Sequence, residues 1–256
     1  MDQPYPVYQR TEGLPLFFVE SLPDGGGEVR LDAFSSRHCI QVLRMQPGDE
    51  LQLTNGRGLK ARAALTAVHT GGRKASAPVA IVRISTITQQ PPPPDHFLAI
   101  ALPHHAGRAE WLIEKATELG IRHIVPLLTA RSPHGRWKPE RYRQLMIAAM
   151  LQSSQYYIPE LHAPTAFGEW VHTCHATCRA IAHCEPTARI PIWQLPCRPG
   201  SKCVLIGPEG DFTPEEIEIA RQAGWQEVSL GYTRLRTETA AIVACAWMQA
   251  SAFSSA

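Results

Sequence analysis

Short apolar runs cut by glycine, proline or polar turns alternate along the first third of the chain: Leu16 to Val19, Glu28 to Leu31, Glu50 to Leu53, Leu59 to Leu65 and Val79 to Ile84. Runs of this length at this spacing predict the strands of a small β-barrel. Asn55-Gly56 and Gly71-Gly72 supply turn signals between them. Between the second and third runs, Phe34 to Arg44 predicts a helical turn capped by Ser35, with His38 and Val42 on one face. The stretch Ser85 to Asp95, STITQQPPPPD, then breaks the pattern. Four consecutive prolines cannot join a sheet ladder and favour an extended spacer. This divides the chain into residues 1–84, a linker 85–95 and residues 96–256.

Beyond the linker the texture becomes that of alternating strands and helices. Strands are predicted at His96 to Leu102, Arg122 to Leu128, Cys178 to Cys184 and Cys203 to Ile206. Helices are predicted at Arg108 to Leu119, where Leu112, Ala116 and Leu119 share a stripe, at Pro139 to Gln152, and more weakly at Ala166 to His172. The strand Val204-Leu205-Ile206 is broken by Gly207-Pro208-Glu209-Gly210, after which Thr213-Pro214-Glu215-Glu216 carries the N-cap, the N1 proline and the closing glutamate of a capping box. A second strand, Gln226 to Leu230, ends at Gly231, and Arg236 to Ala240 leads into an alanine-rich helix. Two loops thus leave the carboxyl ends of two expected parallel strands, where open α/β sheets bind their ligands. Glycine at Gly207 is expected to leave room for such a ligand.

Composition narrows the chemistry. The net charge is +2, with 20 Arg against 5 Lys, and arginine suits bidentate phosphate contacts. From Leu51 to Pro94 there are six cations (Arg57, Lys60, Arg62, Arg73, Lys74 and Arg83) and no carboxylate, so this half is expected either to face an anionic partner or to present a solvated strand surface. Seven cysteines do not form a secreted disulfide framework, and a reducing cytoplasm is expected. No secretory signal pattern follows Met1-Asp2-Gln3-Pro4-Tyr5-Pro6, and no apolar run reaches membrane-spanning length. The cluster His172, Cys174, His175, Cys178, His183 and Cys184 lacks paired metal-ligand spacing, so no metal is assigned. His104-His105 is either a substrate contact or a surface pair. Glycine fingerprints of dinucleotide and triphosphate sites are absent.

Four segments, HCIQVLRMQPGD, EKATELGIRHIVPLLTARS, GPEGDFTPEEI and LGYTRLRTETA, in this order and spread over most of the chain, resemble the RsmE family of ribosomal RNA methyltransferases. The resemblance implies an α/β fold: a SPOUT-type parallel sheet with a C-terminal trefoil knot over residues 96–256, behind an N-terminal PUA-like β-barrel, in a cytoplasmic homodimer. It also implies methyl transfer from S-adenosylmethionine to N3 of a uridine in 16S rRNA of the small ribosomal subunit, with no membrane partner. By position, the cofactor residues would be Leu205, Ile206, Gly207, Pro208, Glu209, Gly210, Leu230, Gly231, Leu235, Arg236 and Thr239. RNA contacts would come from His38, Arg44, Arg57, Arg62, Arg131 and Ser132.

The sulfonium methyl of that cofactor is already electrophilic, so the residues would need chiefly to align the uridine and favour its anion. Arg131, Arg236 and Glu238 are the catalytic candidates, with phosphate binding for Arg131 and a helix-start role for Glu238 as their alternatives. The chain departs from the family pattern in five places. Asp211 stands at a usual glycine, Thr233 at a usual arginine, His104 at a usual lysine, and Leu151 and Gln155 at a usual glutamate and arginine. These departures leave two other readings: an RNA-binding assembly protein with a degenerate site, or a methyltransferase for another RNA position.

Overall fold

The computed structural model describes residues 13–253 apart from 24, 70–77 and 133–136. The Met1 to Pro6 segment, the Gly71-Gly72 turn, Arg73 and Lys74 lie outside the described residues. The described chain forms two compact units, one of residues 13–92 with 150–158 and one of residues 93–149 with 159–253.

In the first unit, β1 (Leu16–Phe18), β2 (Gly27–Arg30), β3 (Glu50–Thr54), β4 (Leu59–His69) and β5 (Val79–Gln89) form one sheet in the order β1-β3-β4-β5-β2. Only β1 and β3 run parallel. Alternation puts Leu51, Leu53, Ala61, Ala63, Leu65 and Val82 into one buried cluster. The strand β5 continues through Gln89, into the segment expected as linker, because Thr86 to Gln89 pair with Leu59 to Arg62. Residues 90–95 carry the extended spacer.

Helix α1 (Ala33–Arg37) is capped by Asp32, whose Oδ1 accepts from the Ser35 amide at 2.6 Å, and not by Ser35 as the sequence suggested. The Ser35 side chain is buried and the π-helical turn His38–Val42 follows without a break. Arg44, in the left-handed region at φ 56°, ends it.

The uneven charge of the sequence has a local explanation. Arg62 makes a two-pronged pair with Glu50 (Nε to Oε1 3.1 Å, Nη2 to Oε2 2.7 Å), and Arg83 pairs with Glu28 at 2.8 Å. Both carboxylates sit on neighbouring strands outside the window that lacked acids. His38, Arg44 and Arg57 are exposed.

Residues 150–158 close this unit from far along the chain. The Gly58 amide donates to the Tyr156 carbonyl (2.8 Å) and the Ile158 amide to Gly56 (2.9 Å). Gly58, at φ 92°, has no room for a side chain, since a Cβ would overlap the Tyr157 hydroxyl. Tyr156 Oη donates to Oε1 of the buried Gln52 at 2.9 Å. Leu151 and Gln155, two of the departures from the family pattern, lie in this segment.

The second unit is a parallel sheet of β6 (Phe97–Ile100), β7 (His123–Leu128), β8 (Glu160–Leu161), β10 (Cys178–Ala182), β11 (Ile190–Pro191), β12 (Lys202–Ile206) and β13 (Gln226–Ser229), in the order β11-β13-β10-β12-β6-β7-β8, with β9 (Thr165–Ala166) paired to β7. The helices are α2 (Ala106–Glu118), α3 (Pro139–Gln152), α4 (Phe167–Thr173), α5 (Pro214–Gln222) and α6 (Thr237–Phe253). Central β12 is buried at every residue, as a strand covered on both faces must be. Cys203 and Leu205 pack with Phe167, Val171, Phe212, Ile217 and Trp225 on one face, and the Trp225 indole donates to the Val171 carbonyl at 3.0 Å. On the other face α6 packs against α2, β6 and β12. No described helix is long and apolar enough to cross a membrane.

One pair of cysteines stands apart from the reducing setting expected from the sequence. Cys178 and Cys197 form a disulfide, because the chain after β11 folds back beside the start of β10 and brings their Cα atoms to 5.5 Å.

Replacing Tyr156 by Phe leaves the Gln52 oxygen buried without its donor. The variant should lose about 1–2 kcal/mol in urea-induced unfolding of the first unit, followed by far-ultraviolet circular dichroism. An unchanged midpoint would show that the bond contributes nothing net.

Candidate functional site

A cavity of about 330 Å³ opens at the carboxyl ends of β10, β12 and β13. Its walls are the two glycine loops singled out from the sequence, 207–211 and 230–236, with Arg108 from α2 and His183, Cys184 and Arg189 from the segment after β10. Of the expected cofactor residues, Ile206, Gly207, Pro208, Glu209, Leu230, Gly231, Leu235 and Arg236 line it. Leu205 is buried in the core, and Gly210 and Thr239, both exposed, are not among the lining residues. Arg108 and Arg189 carried no signal in the sequence beyond their residue types, and His183 stood out there only in a histidine–cysteine cluster to which no metal was assigned.

Carboxylates accepting backbone amides hold the loops. Thr213 caps α5 as the sequence predicts, with Glu216 Oε2 accepting from the Thr213 amide at 2.9 Å. The other oxygen of this buried glutamate accepts from the Ala130 amide at 2.8 Å, so one side chain binds the loop after β7 to the loop after β12. Glu209 Oε1 accepts from the His104 amide at 3.1 Å and ties in the loop after β6. His104 itself borders a second cavity of about 340 Å³, between the end of β7 and the residues Trp137, Lys138 and Tyr142.

Asp211 completes the set. Its φ of 63° is the left-handed conformation that favours glycine, and aspartate is among the few side chains that tolerate it. In return Oδ1 accepts from the Phe212 amide (2.8 Å) and Oδ2 from the Cys184 amide (2.6 Å), joining the ends of β10 and β12 beneath the cavity. The departure from glycine thus keeps the loop conformation and adds a fastening. A Cβ on Gly207 would meet the Phe212 amide nitrogen at 3.1 Å and Asp211 Oδ1 at 3.2 Å. Crowding by its own loop is thus a constraint on Gly207 in addition to the ligand space expected from the sequence.

The three catalytic candidates are placed differently. Arg236 is exposed on the cavity wall. Arg131 Nη1 donates to the Gly210 carbonyl (2.7 Å) and the Phe212 carbonyl (3.3 Å), so its guanidinium braces the loop after β12. Ser132 is held in its own turn, its hydroxyl 2.7 Å from that of Thr129. Glu238 is buried at the start of α6 and pairs with Arg108 Nε at 3.6 Å, while its Oε2 has no hydrogen-bond partner among the described residues. The Nδ1 of buried His183 is likewise unpartnered, and its Nε2 lies 3.0 Å from Glu227. Burial holds the His183 pKa below the ordinary range, against the pull of Glu227.

The chain matches the family model for an RNA methyltransferase domain over residues 90–249 and that for an RNA methyltransferase PUA domain over residues 35–72. It is 31% identical over 241 residues to ribosomal RNA small subunit methyltransferase E of Mycobacterium bovis, covering 90% of this chain and 88% of that protein. The crystal structure of a probable rRNA-methyltransferase from Porphyromonas gingivalis superposes with a TM-score of 0.83 at 33% identity, over 93% of this chain and 99% of that one. A ribosomal RNA small subunit methyltransferase E from Neisseria gonorrhoeae, crystallised bound to S-adenosyl methionine, gives a TM-score of 0.77 at 25% identity, over 93% and 97%.

The double role of Asp211 separates two substitutions. Asp211→Gly loses both side-chain bonds but is at ease at φ 63°, whereas Asp211→Ala loses the bonds and keeps the strain. Urea unfolding should rank them wild type, then Gly, then Ala, with about 1 kcal/mol between the variants. An alanine variant as stable as the glycine one would rule out strain at this position.

Proposed function

Since the chain belongs to the family of RNA methyltransferases represented by ribosomal RNA small subunit methyltransferase E, we propose that it transfers a methyl group from S-adenosylmethionine to N3 of a uridine in 16S rRNA. The observation that carries this reading is the cavity of about 330 Å³ walled by the 207–211 and 230–236 loops. Its size and mixed lining suit a nucleoside-sized ligand. The unpartnered His183 Nδ1 and Glu238 Oε2 beside it offer an acceptor or donor to such a ligand or to its waters.

Bound there, S-adenosylmethionine supplies an electrophilic methyl group. The backbone of Gly207 to Gly210 and Leu230 to Arg236 would hold it, with Ile206, Leu230 and Leu235 as apolar walls. Arg236, free on the wall, is the residue placed to favour the uridine anion as the N3 proton leaves. Arg131 acts on the same step by fixing the 210–212 backbone, and Glu238 by orienting Arg108 at the cavity. The degenerate-site alternative loses part of its support, because Asp211 holds a left-handed conformation that glycine also adopts readily.

The rest of the family architecture is read in the same way. The five-stranded sheet of the first unit corresponds to a PUA-like barrel, in which exposed His38, Arg44 and Arg57 face RNA more readily than Arg62, which is paired with Glu50. A trefoil knot suits the path of α6, which leaves β13 on one side of β10 yet packs on β12 and β6 beyond the other. The fully exposed Tyr232 on the cavity loop suits burial in a homodimer. Such a substrate suits a cytoplasmic protein, as the sequence suggested.

Nucleosides of small-subunit rRNA from cells with and without the gene, compared by mass spectrometry, should differ by N3-methyluridine alone. Loss of a different methylated nucleoside would move the reaction to another RNA position, and an unchanged profile would sink it. Arg236→Ala should lower kcat about a hundredfold with little change in cofactor affinity. Gly207→Val should instead weaken cofactor binding more than tenfold in calorimetry, because the loop that forms the wall must shift. Unaltered affinity would show that this loop does not hold the cofactor.

A further inference from the structure

At the opposite, amino-terminal edge of the parallel sheet, three side chains converge with no role in the site described above. His123 opens β7 and pairs in register with Glu160 of β8, and His162 follows two residues later. His123 Nδ1 lies 3.1 Å from His162 Nε2 and 3.5 Å from Glu160 Oε2, and His162 Nε2 lies 3.8 Å from Glu160 Oε1. A tetrahedral ion bound at about 2.0–2.1 Å holds its donor atoms roughly 3.3–3.4 Å apart, which is the scale of this triangle.

The second nitrogen of His123 is engaged as metal-ligating histidines require. Its Nε2 lies 2.6 Å from Asp95 Oδ1. A carboxylate at that distance accepts the Nε2 proton and leaves the Nδ1 lone pair directed at the other two donors. The ring is held in place by stacking on Phe97, with centroids 4.2 Å apart and planes 10° from parallel. His162 packs edge-on to Trp170 at 6.0 Å. Two imidazole nitrogens and a carboxylate thus meet at one point, where a proton shared between the rings or a bound cation can sit between them. Glu160 is 59% exposed in its side chain against 11% for His123, so a fourth position is open to water.

We propose that His123, Glu160 and His162 bind one zinc ion, with Asp95 orienting His123. Two nitrogen donors and one oxygen donor suit zinc better than the oxygen-seeking magnesium or calcium. The ion would fasten the β7–β8 edge to the end of the proline-rich segment. The site is independent of the cofactor cavity, and its test does not require methyl transfer.

The full-length protein, stripped with EDTA, is titrated with Zn²⁺ against a chromophoric chelator and with Co²⁺ by visible absorption. One equivalent of zinc should bind with Kd below about 1 µM, with cobalt giving the intense bands of a four-coordinate site. Glu160→Gln combined with His162→Gln should weaken zinc binding at least a hundredfold, and Asp95→Asn by roughly 10–100-fold. Zinc at a hundredfold excess over Kd should raise the melting temperature of the wild type by roughly 5–10 °C and leave that of the double variant unchanged. His172→Gln serves as the control for adventitious histidine binding. Equal affinity in the wild type and the double variant, or loss of the bound equivalent in the His172 control, would overturn the proposal.

Discussion

The buried Glu216 carboxylate, bonded to two backbone amides from different loops, is the constraint on which the cavity rests. A parallel sheet leaves the chain after each strand as a separate loop, and nothing in the ladder holds one loop to the next. Glu216 does so for the loops after β7 and β12, Asp211 for those after β10 and β12, and Glu209 for those after β6 and β12. The loop after β12 is common to all three links. Hydrogen bonds to a charged acceptor are worth about 1.5–3 kcal/mol, twice a neutral pair, and matter most where water is excluded. Arg131 adds the reverse pattern, a cation donating to two carbonyls of the same loop. The wall of the cavity is therefore fixed before any ligand arrives, as preorganised binding requires.

Much of this was legible in the sequence where the signal is local. The capping box of Thr213 and Glu216, the apolar run of β12 and the glycine breaks after β12 and β13 each depend on residues within a few positions of one another. Their physics is complete in a short window, and the structure places the elements where that physics puts them. Eight of the expected cofactor residues line one cavity for the same reason, since strand ends and the loops that follow them are contiguous in sequence.

The signals that failed are non-local. The acid-free window from Leu51 to Pro94 left open whether its cations face an anionic partner or solvent, and it could not show that Glu50 and Glu28 reach Arg62 and Arg83 across the sheet, because register decides this. Arg131 reads as a free cation until the loop after β12, some eighty residues later, presents its carbonyls. Residues 150–158 carry no mark that they complete the first unit, because the marks are on Gly56 and Gly58, whose missing side chains make the room. The Ser35 cap failed for a narrower reason: the helix starts earlier, at Ala33, and Asp32 caps it by accepting from the Ser35 amide. The short strands β8, β9 and β11 have two residues each, too few to leave a period.

Strand β7 shows how one element can serve both edges of the sheet without coupling them. It begins at His123, among the histidine and carboxylate donors, and ends at Leu128, just before the turn in which Ala130 and Arg131 are bound to Glu216 and Gly210. Between the ends lie six residues, or roughly 20 Å, of buried backbone pinned by β6 on one side and by β8 and β9 on the other. A strand fixed along its length transmits little displacement, because a shift of register would move every side chain to the wrong face. Binding at the amino-terminal edge would therefore change how firmly the sheet is held together and not where the cavity residues stand. The two ends are physically separable: the donors at the start of β7 lie at one edge of the sheet, and the turn after its end is bound to the loop after β12 at the other.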